Sequence, residues 1–561
     1  MTETTTVAPD LVRVQVTPAG SWQDPARSGL RVDLQPQGRG LRVDVAGTRV
    51  ARILLRWHTT RARGCRILGD AWERSYGELE WRVPRAERPL PWMFLAHDPR
   101  DDRTWGAGVE VRGGAFAFWL VDTQGVSLVL DLRSGGAAVE PGDRLLHAAT
   151  VRAVEGQDSA FDTQRALAHL LCTDPLLPPQ PVVGANNWYY AYGRDFDTRA
   201  VVGDARTIAD LVGDHPVRPF MVVDDGWSPA GTADGLRASG GPWDRGRVPE
   251  FPDMVEVASA IRDQGVRPGI WYRPLLRREE AAPGTGHGPG AGHMPSGVGT
   301  VTTDTGRHLA TVGPRDGALA LDPSCAQVLD QVSEDVSRLS GWGFELIKHD
   351  FSTYDLLGRW GPDMGALGGV EGPALADPTM TTAEALVGFY RQIHRAAGDS
   401  LVLGCNVVGH LAAGHTHIVR TGDDTSGLDW DRTRRTGINT LGFRLGQHRA
   451  FFALDADCVA STPHTDWRMD RRFLDLVARS GTVLFVSVDP ATRGERVDAD
   501  LAAALRLALD GGAPGGGEPL DWLDTPTPQR WRLGGETVDY EWLEPQGADP
   551  FEAWTAATPE V

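Results

Sequence analysis

The chain of 561 residues carries a formal net charge of −19, and 41% of its residues are hydrophobic while 23% are charged. This length exceeds what one hydrophobic core supports and predicts two or three domains, and the composition is that of an ordinary globular protein. The acidic balance argues against nucleic acid and an anionic membrane surface as partners, because both bind through an excess of Lys and Arg.

No apolar run approaches membrane-spanning length, and the N-terminal residues lack the basic-then-apolar pattern of a signal peptide. The five cysteines are scattered without a CxxC spacing, which favours reduced thiols over disulfides or a structural zinc site. Together these features predict a cytoplasmic protein.

The first part of the chain has the pattern of antiparallel strands. In GLRVDLQPQGRGLRVDV, residues 29–45, apolar and polar residues alternate on either side of a Gly-rich turn. No convincing amphipathic helix precedes about Asp158, and the Pro-rich stretch at 173–183 marks a joint. We therefore assign residues 1–176 to an N-terminal antiparallel β-sandwich domain.

After the joint, short apolar runs alternate with helical patterns, one of which begins with a capping box at Thr381 and Glu384 and closes on Gly398. The runs are VVGANNWYYAYG, PFMVVDDGW, RPGIWYRPLL, FELIKHDFS, LVLGCNVVG, HIVRTGDD, AFFALDADCV and TVLFVSVDP. Eight strands separated by helices predict an α/β fold, a (β/α)8 TIM barrel, over 177–512. A small C-terminal β module is predicted over 513–561.

Two inserts interrupt this alternation. Residues 278–300, after the third strand, are rich in Gly and Pro and read as a mobile lid or a disordered excursion. Residues 359–380, after the fourth strand, are similar in kind. Loops that follow barrel strands lie at the C-terminal rim, where active sites are found, but the role of the first insert stays open.

Acidic residues gather at the ends of three predicted strands. They are Asp224 and Asp225 after the second strand, Asp350 after the fourth, and Asp423 and Asp424 after the sixth. Because strand ends meet at the barrel rim, these acids are expected to share one pocket, where repulsion spreads their pKa values. Paired carboxylates in such a pocket are typical of glycoside hydrolysis, and in retaining enzymes they lie about 5–5.5 Å apart.

The motifs VVDDGW, GIWYRPLL, LDPSCAQVLDQV, LIKHDFS, GCN and RTGDD resemble successive barrel motifs of the α-galactosidases of glycoside hydrolase family 36, in clan D. The resemblance covers roughly 184–490, and family 27 is more distantly similar. Family 36 also carries an N-terminal β-sandwich and a small C-terminal β domain. The resemblance implies a retaining hydrolase that cleaves terminal α-galactosides, or closely related α-glycosides, through a covalent glycosyl-aspartate without metal or cofactor.

The resemblance also implies roles for individual residues. Asp350 matches the nucleophile and Asp423 the acid/base, with Asp424 as the alternative because adjacent strand residues face opposite ways. The expected substrate-binding residues are Asp224, Asp225, Trp188, Trp227, Trp271, Arg273, Lys348, Cys405, Asn406 and Arg420.

Some of these positions stay ambiguous or depart from the family pattern. Trp227 and Trp271 can equally be pocket walls or core residues. Tyr272-Arg273-Pro274 stands where many members have Glu-Pro, and His349 stands where Trp or Tyr is commoner. Trp72 and Tyr76 could reach from the sandwich over the barrel mouth.

Other functions remain open at this point. A galactosyltransferase of the raffinose-synthase type resembles the same family, and a catalytically silent sugar-binding homologue would share the fold. A metal-dependent hydrolase would use His410, His415, His417 and Asp423. An oligosaccharide or glycoside is the expected partner, and a homo-oligomer is compatible with the sequence; the natural substrate is not determined.

Overall fold

The computed structural model describes residues 8–156, 158–194, 196–229, 240–277, 299–302, 306–365 and 372–548. Its N-terminal part consists of two antiparallel sheets around a shared core, in the strand orders β1-β4-β10-β9-β6 and β2-β3-β11-β8-β7-β5. These strands are β1 (Leu11–Gln15), β2 (Arg31–Gln37), β3 (Gly40–Ala46), β4 (Arg52–His58), β5 (Arg66–Gly69), β6 (Leu90–Pro91), β7 (Met93–Asp98), β8 (Arg103–Val109), β9 (Phe116–Asp122), β10 (Gly125–Asp131) and β11 (Leu146–Glu155).

Strand β4 illustrates why the sandwich forms. Ile53, Leu55 and Trp57 are buried while the alternate residues Arg52 and Arg56 are half-buried. This period of two presents one apolar face to the opposite sheet and one polar face outward. Short helix α1 (Pro25–Ser28) lies early in the domain, and α2 (Ala160–Leu171), capped by Ser159, packs against β8 and β11.

From residue 183 onwards the strands are β12 (Val183–Asn186), β13 (Phe220–Val223), β14 (Arg267–Tyr272), β15 (Leu276–Arg277), β16 (Gly299–Thr302), β17 (His308–Arg315), β18 (Ala318–Leu321), β19 (Leu346–His349), β20 (Leu401–Gly404), β21 (Ile418–Arg420), β22 (Ala453–Ser461) and β23 (Val483–Val488). Strands β12, β13, β14 and β19–β23 are parallel and close into a barrel in chain order. All eight coincide with predicted runs. The predicted fold class, a TIM barrel with an N-terminal β-sandwich, is confirmed.

The helices of this part are α3 (Trp188–Ala191), α4 (Thr198–Val212), α5 (Met254–Asp263), α6 (Ala326–Gly341), α7 (Ser352–Leu357), α8 (Gly361–Met364), α9 (Thr382–Ala397), α10 (Gly409–Ala412), α11 (Trp430–Thr433), α12 (Thr440–Arg444), α13 (Trp467–Ser480) and α14 (Glu495–Leu509). A π-helical segment, Arg434–Asn439, joins α11 to α12, and single 3₁₀ turns occur at Leu445–Gln447 and Pro490–Thr492. The predicted capping box at α9 is present, and Gly398 ends that helix with φ 59°. No helix among the described ranges is long and apolar enough to cross a membrane.

Strands β15–β18 form a separate four-stranded antiparallel sheet after the third barrel strand. Local periodicity does not reveal this sheet, because its first strand, β15, has only two residues and pairs with β18 on the far side of the Gly- and Pro-rich insert. Most of the predicted lid, residues 278–298, lies outside the described residues. The C-terminal strands β24 (Gly517–Pro519), β25 (Arg530–Leu533) and β26 (Glu536–Asp539) form a three-stranded sheet.

The C-terminal sheet is attached to the barrel by buried tryptophans. Trp531 and Trp542 are almost completely buried, and the indole N–H of Trp430 donates to the carbonyl oxygen of Trp542 at 2.8 Å. Since so few strands cannot bury a core of their own, this module depends on the barrel helices for its apolar contacts.

Candidate active site

The barrel interior contains an apolar cluster made from alternate strand residues. Its members include Phe220, Val222, Leu346, Leu401, Leu403 and Ile418. Every second residue of a barrel strand faces the interior. The next inward-facing residues beyond this cluster therefore lie at the rim of the barrel. These positions are occupied by Asp224, Lys348, Asp350, Cys405 and Arg420.

Asp350 lies directly after β19 and is 7% exposed. The indole N–H of Trp271 donates to its Oδ2 at 3.3 Å, and the backbone N–H of Phe351 donates to its Oδ1 at 2.7 Å. Phe351 has a φ of 59°, which a bulky L-residue adopts only under strain, and such strain concentrates at functional sites. The carboxylate is therefore oriented from two sides.

Lys348 and Asp224 form a buried ion pair across the pocket. The ammonium Nζ lies 2.6 Å from Oδ2 of Asp224, which also accepts from the side-chain amide of Asn186 at 2.5 Å. Burial alone would lower the pKa of Lys348, but the adjacent Asp224 carboxylate holds it well above its usual value. The backbone N–H of Asp225 donates to the other Asp224 oxygen at 2.9 Å, so both oxygens of this carboxylate have partners.

Cys405 and Arg420 connect Asp350 to the opposite side of the pocket. Nη1 of Arg420 lies 3.4 Å from the Cys405 sulfur, and Nη2 pairs with Asp457 at 2.8 Å and with Asp424 at 3.2 Å. Burial raises the pKa of the Cys405 thiol well above its usual value, and the carboxylate of Asp350 adds to that effect. The thiol therefore contacts Arg420, which pairs with Asp424, and it lies close enough to Asp350 for that carboxylate to affect its pKa.

Asp423 and Asp424 both contact Arg74, a residue of the N-terminal domain that the sequence analysis did not identify. Nη2 of Arg74 lies 2.8 Å from Asp423 Oδ1, and Nη1 lies 3.5 Å from Asp424 Oδ1. Asp423 pairs in addition with Arg432 at 2.9 Å through Oδ2. Burial would raise the pKa of Asp424, but Arg420 and Arg74 outweigh it and lower that pKa to about 2.

The segment that carries Arg74 is joined to the rim by backbone hydrogen bonds. Ser75 donates to Thr421 at 3.1 Å, and Asp423 donates to Ser75 at 2.7 Å, so the segment pairs with the chain just after β21. Gly422 lies between these two bonds, and a Cβ there would lie 2.2 Å from the carbonyl oxygen of Thr436, so glycine allows the π-helical segment to approach this part of the rim. Arg444 holds the other end of the segment through Asp70 at 2.7 Å.

The predicted reach of Trp72 and Tyr76 concerns this same segment. The indole N–H of Trp72 donates to the carbonyl of Gly365 at 2.8 Å, and the Tyr76 hydroxyl donates to Glu73 at 2.5 Å. Trp72 also packs edge-to-face on Phe116 and Phe118 of β9, and the side chain of this segment that touches the acids is Arg74. This segment has no periodic pattern in its sequence. Only its high content of charged and aromatic residues indicated a role near the site.

Three residues predicted to bind substrate are fully buried. Trp227 donates to the backbone of Trp271 and packs on Trp243, while Asn406 accepts from two backbone N–H groups of α7. Arg273 pairs with Asp355 at 2.5 Å, among further contacts. Each is 0% exposed, and the contacts of these three side chains are those of packing and positioning, so their binding of substrate stays a prediction from the sequence.

Trp188 keeps more exposure than these residues. It opens α3 and is half-buried, with its ring 5.7 Å from that of Tyr192 in an edge-to-face arrangement. Its backbone N–H donates to Asn186, the same side chain that contacts Asp224. Trp188 therefore lies beside the Lys348 ion pair with part of its ring open to solvent.

The histidines considered for a metal site do not come together. His410 stacks on Trp92 at 5.6 Å, and Nδ1 of His417 accepts from the backbone of Val402 at 3.1 Å. The two carboxylate oxygens of Asp423 pair with Arg74 and Arg432. Within the described parts of the chain, no group of three or more His, Cys, Asp and Glu side chains is arranged to hold a metal ion.

No protein-family model matches the chain, and no curated protein matches it in sequence. Solved structures match its fold. An α-galactosidase from Thermus thermophilus, in complex with p-nitrophenyl α-D-galactopyranoside, superposes with a TM-score of 0.58 at 18% identity, covering 91% of this chain and 96% of that chain.

Two further structures match at a lower level. A family GH36 α-galactosidase variant from Geobacillus stearothermophilus, in complex with 1-deoxygalactonojirimycin, has a TM-score of 0.53 at 14% identity and covers 87% of this chain and 68% of that one. The galactosidase domain of an α-galactosidase–sucrose kinase has a TM-score of 0.53 at 14% identity, with 89% and 71% covered. The resemblance to family 36 is confirmed at the level of the fold.

Proposed function

We propose that this protein is a retaining glycoside hydrolase of the α-galactosidase type. The proposal is carried by the position of Cys405 between Asp350, which raises the pKa of its thiol, and the two arginines that contact its sulfur and pair with Asp423 and Asp424, at the rim of a barrel similar to α-galactosidases. Carboxylates on two sides of one pocket are what a double displacement at an anomeric carbon requires. Oligosaccharides and simple glycosides of α-galactose are the proposed substrates.

Asp350 is the proposed nucleophile. Its oxygen attacks the anomeric carbon, a carbon–oxygen ester bond forms, and the bond from that carbon to the leaving oxygen breaks. The N–H groups of Trp271 and Phe351 leave the carboxylate little freedom to rotate, so the attacking lone pair is already aimed before substrate enters.

Asp424 is the better-supported acid/base, although the motif comparison pointed to Asp423. The inward positions of β21 are Ile418 and Arg420, and the same period of two continues to Asp424. Both oxygens of Asp423 are engaged by Arg74 and Arg432, whereas the contacts of Asp424 fall on Oδ1. Asp424 is also twice as exposed, with 33% of its side chain accessible against 16% for Asp423.

In the first step the acid gives its proton to the leaving oxygen. In the second, the same carboxylate accepts a proton from water while the water oxygen attacks the anomeric carbon and the bond to Asp350 breaks. Asp224, Asp225 and Lys348 are proposed to hydrogen-bond the sugar hydroxyls. Trp188 is proposed to cover one face of the ring, because aromatic faces suit the apolar side of a pyranose.

The test is a screen of aryl α- and β-glycosides with the purified protein, followed by NMR of the first product. We expect hydrolysis of the α-galactoside with α-galactose formed first. A β-anomer as first product, or no hydrolysis of any α-glycoside, would contradict the proposal. Adding an acceptor sugar would reveal transfer instead of hydrolysis. A cytoplasmic location and a homo-oligomeric state stay predictions from sequence.

A further inference from the structure

A chain of alternating charges crosses the side of the pocket where Asp423 and Asp424 lie, and it joins the two large domains. It runs Arg432, Asp423, Arg74, Asp424, Arg420, Asp457, with contacts of 2.9, 2.8, 3.5, 3.2 and 2.8 Å between successive members. Arg74 is the central cation, and it is the only link in this chain that the β-sandwich contributes.

Arg74 is held in place on several sides. Its side chain is 7% exposed, its guanidinium carbon lies 5.1 Å from the ring centre of Trp360, and its Nη1 lies 3.8 Å from the Cys405 sulfur. The backbone on its C-terminal side, at Ser75, is hydrogen-bonded to the rim. The cation therefore belongs to the built site and not to a mobile surface side chain.

We propose that Arg74 is a positioning residue that keeps the acid/base aspartate ionised, and so confines the enzyme to acidic pH and to substrates with good leaving groups. This inference rests on the proposed function, because it concerns the acid of the same reaction. A guanidinium within hydrogen-bonding distance favours the charged form of a carboxylate, whereas a general acid must carry a proton when substrate binds.

The other charged and titratable groups around the aspartate pair do not cancel this effect. They are Glu73 and Tyr76 on the sandwich segment, Lys348 on β19, Cys405 after β20, Arg420 on β21, Arg432 on α11, Tyr189 on α3 and Asp457 on β22. Burial raises the pKa of Glu73 to about 7, so that carboxyl adds little negative charge under acidic conditions. Arg74 pairs with the carboxylates of both Asp423 and Asp424, whereas Arg432 pairs with the Asp423 carboxylate and donates to the backbone carbonyl oxygen of Asp424 at 2.9 Å.

The main experiment measures kcat/KM against pH for the wild type and Arg74→Gln. The basic limb of this profile reports the general acid, and we expect the substitution to move it to higher pH by about 1–3 units. Arg74→Lys, which keeps the charge, should restore most of the wild-type position. Arg49→Gln, which removes a surface pair with Glu140 on the same domain, is the matched control and should leave the profile in place.

Leaving-group dependence gives a second readout that a merely structural role would not move. We expect log(kcat/KM) to fall steeply with the pKa of the aryl leaving group in the wild type and less steeply in Arg74→Gln, because a protonated acid assists poor leaving groups. Arg432→Gln sharpens the assignment. It should move the basic limb as much as Arg74→Gln if Asp423 is the acid, and less if Asp424 is.

The inference is overturned if a folded, active Arg74→Gln protein keeps the basic limb of the wild-type pH profile and the wild-type dependence on leaving-group pKa. The proposed function would then stay intact. Absence of wild-type α-galactosidase activity would instead overturn the proposed function. Thermal unfolding of each variant, compared with the wild type, separates loss of folding from either outcome.

Discussion

The two sides of the pocket are built differently. On the nucleophile side, Asp350, Trp271 and the Lys348–Asp224 pair all come from barrel strands β13, β14 and β19 or the residues just after them. On the acid side, the aspartates after β21 are completed by Arg74 from the β-sandwich. The barrel alone thus supplies the proposed nucleophile and the proposed sugar ligands, whereas the ionisation of the proposed acid depends on a cation from a second domain.

The largest expected effect is on the nucleophile side. Asp350→Ala should lower kcat for an aryl α-galactoside by about four to six orders of magnitude, because the attacking atom is gone. Added azide should restore part of the rate and yield the β-galactosyl azide, which NMR would identify. If the Asp350→Ala protein kept wild-type turnover, Asp350 would not be the nucleophile.

On the acid side the effect should depend on the leaving group. Asp424→Ala should cost about 10²–10⁴-fold in kcat/KM for poor leaving groups and far less for a nitrophenyl group, since only poor ones need a proton. Asp423→Ala is the matched variant one residue away, and it should show a smaller difference between the two substrates. The reverse order would return the acid role to Asp423.

A third variant tests the buried ion pair of Arg273 and Asp355, which lies against Phe351, the neighbour of Asp350. Arg273→Met leaves the buried Asp355 carboxylate without its cation and should lower the free energy of unfolding by about 3–5 kcal/mol, measured by urea denaturation. Its guanidinium also lies 4.1 Å from the ring centre of Phe351, next to Asp350, so kcat should fall as well. Arg530→Met removes an exposed pair with Asp539 and should cost less than about 1 kcal/mol.

The smallest effect concerns pH and Glu73, beneath Arg74. Burial raises the pKa of this carboxyl from 4.5 to about 7, so between these values the folded state binds more protons than the unfolded state. Its contribution to stability is therefore present below about pH 4.5 and is lost as the pH rises to 7.

Glu73→Gln removes that pH dependence. The free energy of unfolding of wild type relative to the variant should fall by up to about 3 kcal/mol from pH 4.5 to pH 7.5, measured by denaturation at each pH. Glu140→Gln, a half-exposed carboxylate on the same domain, should give a flat difference. A wild-type advantage that grows with pH would contradict the assignment.

Local patterns in the sequence were sufficient for the barrel and for much of its rim. Each apolar run became a barrel strand, and the acids at 224, 350 and 423–424 follow those strands at one end. A period of two in a parallel sheet is a local property, so it can be extrapolated from a few residues. The sheet β15–β18 was not predicted, because β15 pairs with β18 across the Gly-rich insert. Local periodicity does not reveal pairing between strands so far apart in the chain.

Other features depended on contacts between residues far apart in the chain. Trp227 and Arg273 lie beside rim motifs, yet they are fully buried against Trp243 and Asp355. Arg74 lies 349 positions before Asp423 (423 − 74), and no period in its own segment points to the barrel.

The sequence by itself determined the order of the eight barrel strands and which of them end in acid, because apolar periodicity and residue type act over a few neighbours. Only the tertiary structure decided which of those side chains meet and which cation they share. Electrostatic effects in a buried pocket depend on distances of a few ångströms between groups from separate domains, and those distances arise only when the domains pack.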